Sequence, residues 1–403
     1  MTNPVPTGRR EIPTVPWALR RIAQVLAAGT YERLRTVPAW SPKQVPPSPK
    51  DVGPQWLTAV LCQNTPGATV LSVAHGGASV GTTTRSALTA TYNDRGVAAG
   101  LPTRLFVKCT TSLAQRIMLG LGGLIHGEPG FYMHIRPLFQ IEAPVGYFAA
   151  VAGRSWRSIV LMEDVASTRG ASFWRPSTKV TREEIEDLLG NMATWHGALW
   201  GSPRLAEWRW LKTPADQMGV IDALIGLADR TRAGARRAQA VIPSPVWRRQ
   251  RELYLALRRS MVLASQGPPT YLHGDLHIAN TYRTDDGAIG ICDWQVGLKG
   301  SWAHDFAYIL ATALGVEDRR AWERELVDLY VERLAATGGP AMPPATAWEA
   351  YRRATFYPYF AWLYTIGRSR LQPTFQPDQT SLTMIERISA AIDDLDSFGA
   401  VGL

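Results

Sequence analysis

Hydrophobic and polar positions change period along this chain, and the change divides it. Between residues 69 and 109 the apolar and β-branched residues come in three short runs, Thr69–Ala74, Ser86–Tyr92 and Thr103–Cys109. The turn-forming stretches His75-Gly76-Gly77 and Asn93-Asp94-Arg95-Gly96 separate them, which predicts an antiparallel meander. Ile159–Met162, after a turn at Gly153, predicts a further strand. From about residue 180 the period becomes helical. Thr181-x-x-Glu184 forms a capping box, and Ile185, Leu188, Leu189, Met192, Trp195, His196 and Leu199 then recur at helical spacing. Trp322, Leu326, Leu329, Tyr330 and Leu334 mark a second amphipathic helix, and residues 216–229, 246–264, 345–367 and 381–396 read as helical too. One β-like island, Thr270–Trp294, interrupts the helices. The pattern predicts an α+β chain: a small β-rich lobe over residues 56–163, then a large, mainly helical lobe over 164–403.

Residues 1–55 break this pattern. Proline at 4, 6, 13, 16, 38, 42, 46, 47, 49 and 54 opposes both helix and sheet pairing, apart from a short helical piece at Trp17–Ala28. This segment is expected to be a partly ordered arm. A hydrophobic content of 46% over 403 residues provides for a sizeable core and excludes a wholly disordered chain. Cys62, Cys109 and Cys292 are odd in number and far apart, so neither a disulfide framework nor a structural zinc site is expected. The N-terminal stretch lacks the apolar core of a signal peptide, and no run approaches the ~18 apolar residues of a membrane span. A cytoplasmic protein is the expectation.

The formal charge of +9 is compatible with nucleic acid, an anionic membrane surface or an anionic small molecule. No nucleic-acid motif and no basic strand interleaved with aromatics supports the first. Only six of the 43 basic residues are lysine. Residues 230–259 carry nine arginines against Glu252 alone, which concentrates the positive field in one part of the helical lobe.

The island carries the chemistry. It reads Tyr271-Leu272-His273-Gly274-Asp275-Leu276-His277-Ile278-Ala279-Asn280, turns at Asp285-Asp286-Gly287, and returns as an apolar strand ending in Asp293. Two carboxylates and a carboxamide therefore converge at one end of a hairpin. Hard oxygen donors of this kind suit Mg²⁺, which suits a polyphosphate. The spacing His-x-Asp-x-x-x-x-Asn, followed by an Asp after a strand, is that of a kinase catalytic loop and its metal-binding Asp. The bland reading, turn-capping Asp and Asn residues, accounts for any one of them but poorly for the ordered set.

With Asp293-Trp294-Gln295 added, the chain resembles the aminoglycoside/choline phosphotransferase superfamily. Glu128-x-x-Phe131-Tyr132 and the Asp-Trp-Gln form are most similar to its ecdysteroid-kinase-like branch. The resemblance spans about Trp56 to Leu310. It implies a bilobal protein-kinase-like fold and ATP- and Mg²⁺-dependent transfer of a phosphoryl group to a hydroxyl. Asp275 would orient or deprotonate that hydroxyl, and Asn280 and Asp293 would hold the metal. Lys108 would contact the ATP phosphates and pair with Glu128. A glycine loop at Gly76, Gly77 and Gly81 would cover them. The backbone of Met162-Glu163-Asp164 would form the hinge that meets the adenine edge. His273 would brace the catalytic loop, Asp305 would bond its backbone, and His196 reads as a core residue.

Only eleven positions separate Asp293 from Asp305, too few for a protein kinase's activation segment, so a small-molecule acceptor is expected. The fifteen tryptophans allow an apolar or ring-shaped acceptor, and the arginine-rich stretch favours a neutral or anionic one over a polycationic aminoglycoside. The alternatives are an aminoglycoside-type antibiotic kinase and a non-catalytic nucleotide-binding module on the same fold. The intact set Lys108, Asp275, Asn280 and Asp293 argues against the latter.

Overall fold

A computed structural model describes residues 14–34, 38–368 and 376–403. Five antiparallel strands build the first lobe: β1 (Val70–Val80), β2 (Thr84–Tyr92), β3 (Arg104–Cys109), β4 (Gly146–Ala152) and β5 (Arg157–Glu163), ordered β1-β2-β3-β5-β4. Alternation gives the sheet two faces. Leu88, Ala90, Leu105, Val107, Cys109, Ile159 and Leu161 point to the back, where they pack on Val52, Trp56, Leu57 and Val60. On the other face Phe106, Ala149, Val160 and Met162 belong to the large core that continues into the helical lobe. β4 was not foreseen, because its continuous apolar run from Gly146 to Ala152 has no alternation to detect.

The proline-rich segment is part of this lobe. Helix α1 (Val15–Leu34) lies along α2 (Leu113–Leu121), and Val25 joins Leu119, Ile125 and Trp156 in a small separate core. Glu32 accepts hydrogen bonds from Arg116 (2.7 Å) and Arg157 (2.6 Å), two side chains almost wholly withdrawn from water. The Trp56 indole N–H donates to the Gln44 carbonyl, and Arg157 donates to that of Val45. The expected arm is thus docked wherever the structure describes it. Residues 1–13 and 35–37 lie outside the described residues.

In the second lobe the capping box closes as expected, with Thr181 and Glu184 each bonding the other's backbone at the start of α3 (Arg182–Ala198). The apolar stripe of α3 is buried, and it packs against α4 (Val316–Ala336), the second expected amphipathic helix. The stretch 216–229 is two helices, Pro214–Ile225 and Leu227–Arg237, broken where Gly226 takes a left-handed conformation (φ 61°). Residues 345–367 also divide, into Pro344–Arg353 and α5 (Phe356–Ile366). Three of the arginines of 230–259 tie their helices to their neighbours. Arg230 stacks on Tyr364 and donates to its carbonyl, Arg237 donates to the Ile366 carbonyl, and Arg259 to that of Val401. Arg232, Arg236 and Arg251 line a separate cavity with Trp247 and Tyr254.

Replacing Glu32 with Ala leaves two buried guanidinium groups without their carboxylate, and removing one partner of a buried pair costs about 3 kcal/mol. Urea denaturation should show that loss. Glu317→Ala, which breaks an exposed pair with Arg320, should leave the midpoint unchanged.

Candidate active site

The site is built around Lys108. Odd-numbered β3 residues face the back, so Lys108 projects to the cleft. Its ammonium donates to Glu128 at 2.7 Å and to Asp293 at 2.9 Å, with the Lys and Glu side chains almost fully buried. Burial alone would drive the lysine pKa down. Asp293 and Glu128 outweigh it and hold the group above its ordinary value. Asp293 in turn is held below the usual carboxylate range, since Lys108 overcomes the burial that would raise it. Burial wins at Glu128, whose pKa is raised.

Glu128 sits in the first turn, Gly127–Gly130, of a helical stretch that continues irregularly through Phe131–Ile135 and Arg136–Leu138. That turn is pressed against the segment after Asp293. A Cβ on Gly127 would fall 1.9 Å from the Gln295 carbonyl, and one on Gly130 would enter the Trp210 ring. One residue further, Phe131 stacks on Trp294 at 3.7 Å with planes 4° apart. The Trp294 indole donates to the Ile291 carbonyl. Glu-x-x-Phe and Asp-Trp-Gln, far apart in sequence, are therefore two sides of one contact.

The catalytic-loop candidates lie between short strands. β6 (Thr270–Leu272) leads into the loop, and the hairpin β7 (Thr281–Arg283) and β8 (Ile289–Ile291) turns at Gly287 (φ 93°) and ends at Asp293. Asp293 itself has φ 63°, a conformation Asp tolerates better than most side chains. Asp305 is completely buried and accepts from the backbone N–H groups of His273 (2.6 Å) and Gly274 (2.9 Å). His196 lies 3.4 Å from it and shares a bond with Tyr330, so His196 is a buried neighbour of the loop and not part of the cleft. The His273 ring nitrogens meet the Asp275 amide and the Cys292 carbonyl, which links the loop to the strand before Asp293. Gly274 has φ 79° and no room for a Cβ beside the Val296 carbonyl. The Asn280 carboxamide N–H donates to the Asp275 carbonyl, which leaves its oxygen free.

Asp275 is partly open to the cleft. Burial raises its pKa, against opposing contributions from His277 and from the Tyr308 hydroxyl beside it. Behind it lies a cluster of mostly buried aromatic side chains. His277 meets the Trp362 ring edge-on at 5.4 Å and lies 5.9 Å from Tyr308, which meets Tyr357 at the same distance. Helical periodicity in α5 showed only that these side chains are buried, not which neighbour they face.

Two expectations change. Gly76 and Gly77 are not in the turn. They lie inside β1 at an irregularity in its pairing with β2, and the reversal runs through Gly81 to Thr83. The strand outruns the glycines because β2 begins at Thr84, two residues before the expected start. The hinge is also partly self-satisfied: the Glu163 amide donates to the Val145 carbonyl, and the Asp164 carbonyl accepts from Ser167 and Thr168. These backbone groups are already bonded within the chain. The Glu163 side chain instead joins Arg169, which also grips Glu142, and so ties the end of β5 to the second lobe.

This is a bilobal, protein-kinase-like arrangement. A sequence model of the phosphotransferase enzyme family (APH) matches residues 124–353, more than half the chain, and the chain belongs to that family. That membership places it among phosphotransferases. No curated protein matches it in sequence. Among solved structures it is similar to a choline kinase from Cryptosporidium parvum Iowa II, at 11% identity and a TM-score of 0.48 over 84% of this chain and 95% of that one. It is also similar to choline kinase LicA from Streptococcus pneumoniae (12%, 0.44, 81% and 94%) and to macrolide 2'-phosphotransferase MphH from Brachybacterium faecium (14%, 0.40, 78% and 94%). Among the described residues no helix is long and apolar enough to cross a membrane.

Lys108→Met would leave Glu128 and Asp293 without their cation. The folded variant would then bind protons at a pH where the unfolded chain does not, so its stability falls as pH rises. The deficit against wild type should be about 3 kcal/mol at pH 8 and shrink toward pH 5. A deficit that does not vary with pH in denaturant titrations would count against this account of the cluster.

Proposed function

We propose that this protein transfers the γ-phosphoryl group of ATP to a hydroxyl of a small molecule. The observation that carries the reading is the bridge from Lys108 to both Glu128 and Asp293, beside a loop that presents Asp275 and Asn280 to the same cleft. Ala87, Phe106, Val160 and Met162 on the cleft side of the sheet offer an apolar roof for the adenine ring. The Glu128–Phe131 contact with Trp294 supports membership of the ecdysteroid-kinase-like branch, since both motifs that define the likeness take part in it.

Mg²⁺ fits the donor set. Asn280 has a free carboxamide oxygen and Asp293 has one carboxylate oxygen beyond the one bonded to Lys108. Among the described residues no three His, Cys, Asp or Glu side chains form a metal cage. That suits an ion that binds through one or two protein oxygens together with phosphate oxygens. Bound there, it would neutralise charge between the phosphates. The chain's own residues do the rest. Lys108 holds phosphate oxygens, Asp305 fixes the loop through the His273 and Gly274 amides, and Asp275 accepts the hydrogen bond of the acceptor hydroxyl and takes its proton as transfer proceeds. The catalytic effect is mainly positioning and charge stabilisation.

His277, Tyr308 and Trp362 form a buried aromatic backing behind Asp275, with Tyr357 partly exposed beside them. These apolar surroundings support a neutral, ring-shaped alcohol as the acceptor class.

Asp275→Asn should leave the ATP-dependent thermal shift intact and lower turnover with an accepted alcohol at least about a thousand-fold. Turnover at the wild-type rate would remove Asp275 from its role. Because Asp275 must be deprotonated and its pKa is raised, the acidic limb of kcat/KM should lie above the ordinary aspartate value of about 4. Tyr308→Phe, which removes a hydroxyl that lowers Asp275, should move that limb further up.

A further inference from the structure

Arg85 stands beside Lys108 in the sheet. The two residues are directly paired across β2 and β3, so their side chains leave the same face, toward the cleft. Lys108 is neutralised twice over by Glu128 and Asp293. Arg85 is not: among the described residues no carboxylate lies within ion-pair distance of it, although its Nε is buried and lacks a hydrogen-bond partner. Its guanidinium lies under the β1–β2 turn, where a Cβ on Gly81 would come 3.3 Å from Nη2. Gln115 holds that turn by donating to the Gly81 carbonyl at 2.9 Å. Burying part of a guanidinium without a partner is unfavourable, so the arrangement fits a group placed to receive an anion.

The charge balance of the cleft points the same way. Lys108, Glu128 and Asp293 together carry a net −1, which repels a polyphosphate. Arg85 brings the four to zero. Its positive charge is felt at both carboxylates, where it lowers the pKa.

We propose that Arg85 is a second phosphate-binding cation of the nucleotide site and makes affinity depend on the phosphate chain as well as on adenine. This rests on the nucleotide-dependent reading given above. It is a specificity-determining residue that sequence reading passed over, because an arginine in an exposed-looking strand is ordinary and only the register sets it beside Lys108.

The test is calorimetric binding of ATP with Mg²⁺, and of adenosine, to the full-length wild type, Arg85→Gln and Arg85→Lys. Arg85→Gln should weaken ATP about ten-fold or more and leave adenosine unchanged. Arg85→Lys, which keeps a charge but not the fork, should fall between them and serves if the glutamine variant does not fold. ATP binding at wild-type strength in both variants overturns the proposal while the nucleotide reading stands. Equal weakening of ATP and adenosine also overturns it, since that marks a structural role. A wild-type protein that binds neither ligand overturns both.

Discussion

The buried ammonium of Lys108 is the constraint on which the cleft depends. It sits on a central strand of one lobe, and its two carboxylate partners come from a turn after α2 and from the far end of a hairpin in the other lobe. A buried cation between a buried and a half-buried carboxylate is stable only when all three are in place, because Lys108 or Glu128 alone would be an uncompensated buried charge. The cluster therefore couples the sheet, the Glu128 turn and the catalytic hairpin. Glycine at 127 and the Phe131–Trp294 stack are the packing consequences of bringing those pieces so close.

A second set of buried polar contacts does the same for the loop. Asp305 receives two backbone amides, His273 spans from the loop to the strand before Asp293, and Asn280 closes back on Asp275. The side chains with a chemical role are thus held by others whose role is only to hold.

Much of this was legible in the residues. The period switch gave the two lobes and the capped helix α3, and the island's ordered Asp, Asn and Asp marked the loop and hairpin. The misses have physical causes. β4 lacks alternation, and α2 is a helix of only nine residues, Leu113–Leu121. The glycine turn was placed too early because two glycines can sit in a bulged strand as well as in a turn. Composition counts the charges of the arginine-rich stretch without saying which are tied to carbonyls, as Arg230, Arg237 and Arg259 are.

The sequence by itself determined which side chains carry chemistry and roughly which local element holds each, because spacing and periodicity are properties of neighbours in the chain. Only the tertiary structure decided which of them meet. Lys108 with Asp293, Gly127 against Gln295, and Arg85 beside Lys108 with no carboxylate of its own are facts of register and packing between segments distant in sequence. Burial and the partner's charge then set the direction in which each carboxyl pKa moves, raised at Glu128 and Asp275 and lowered at Asp293.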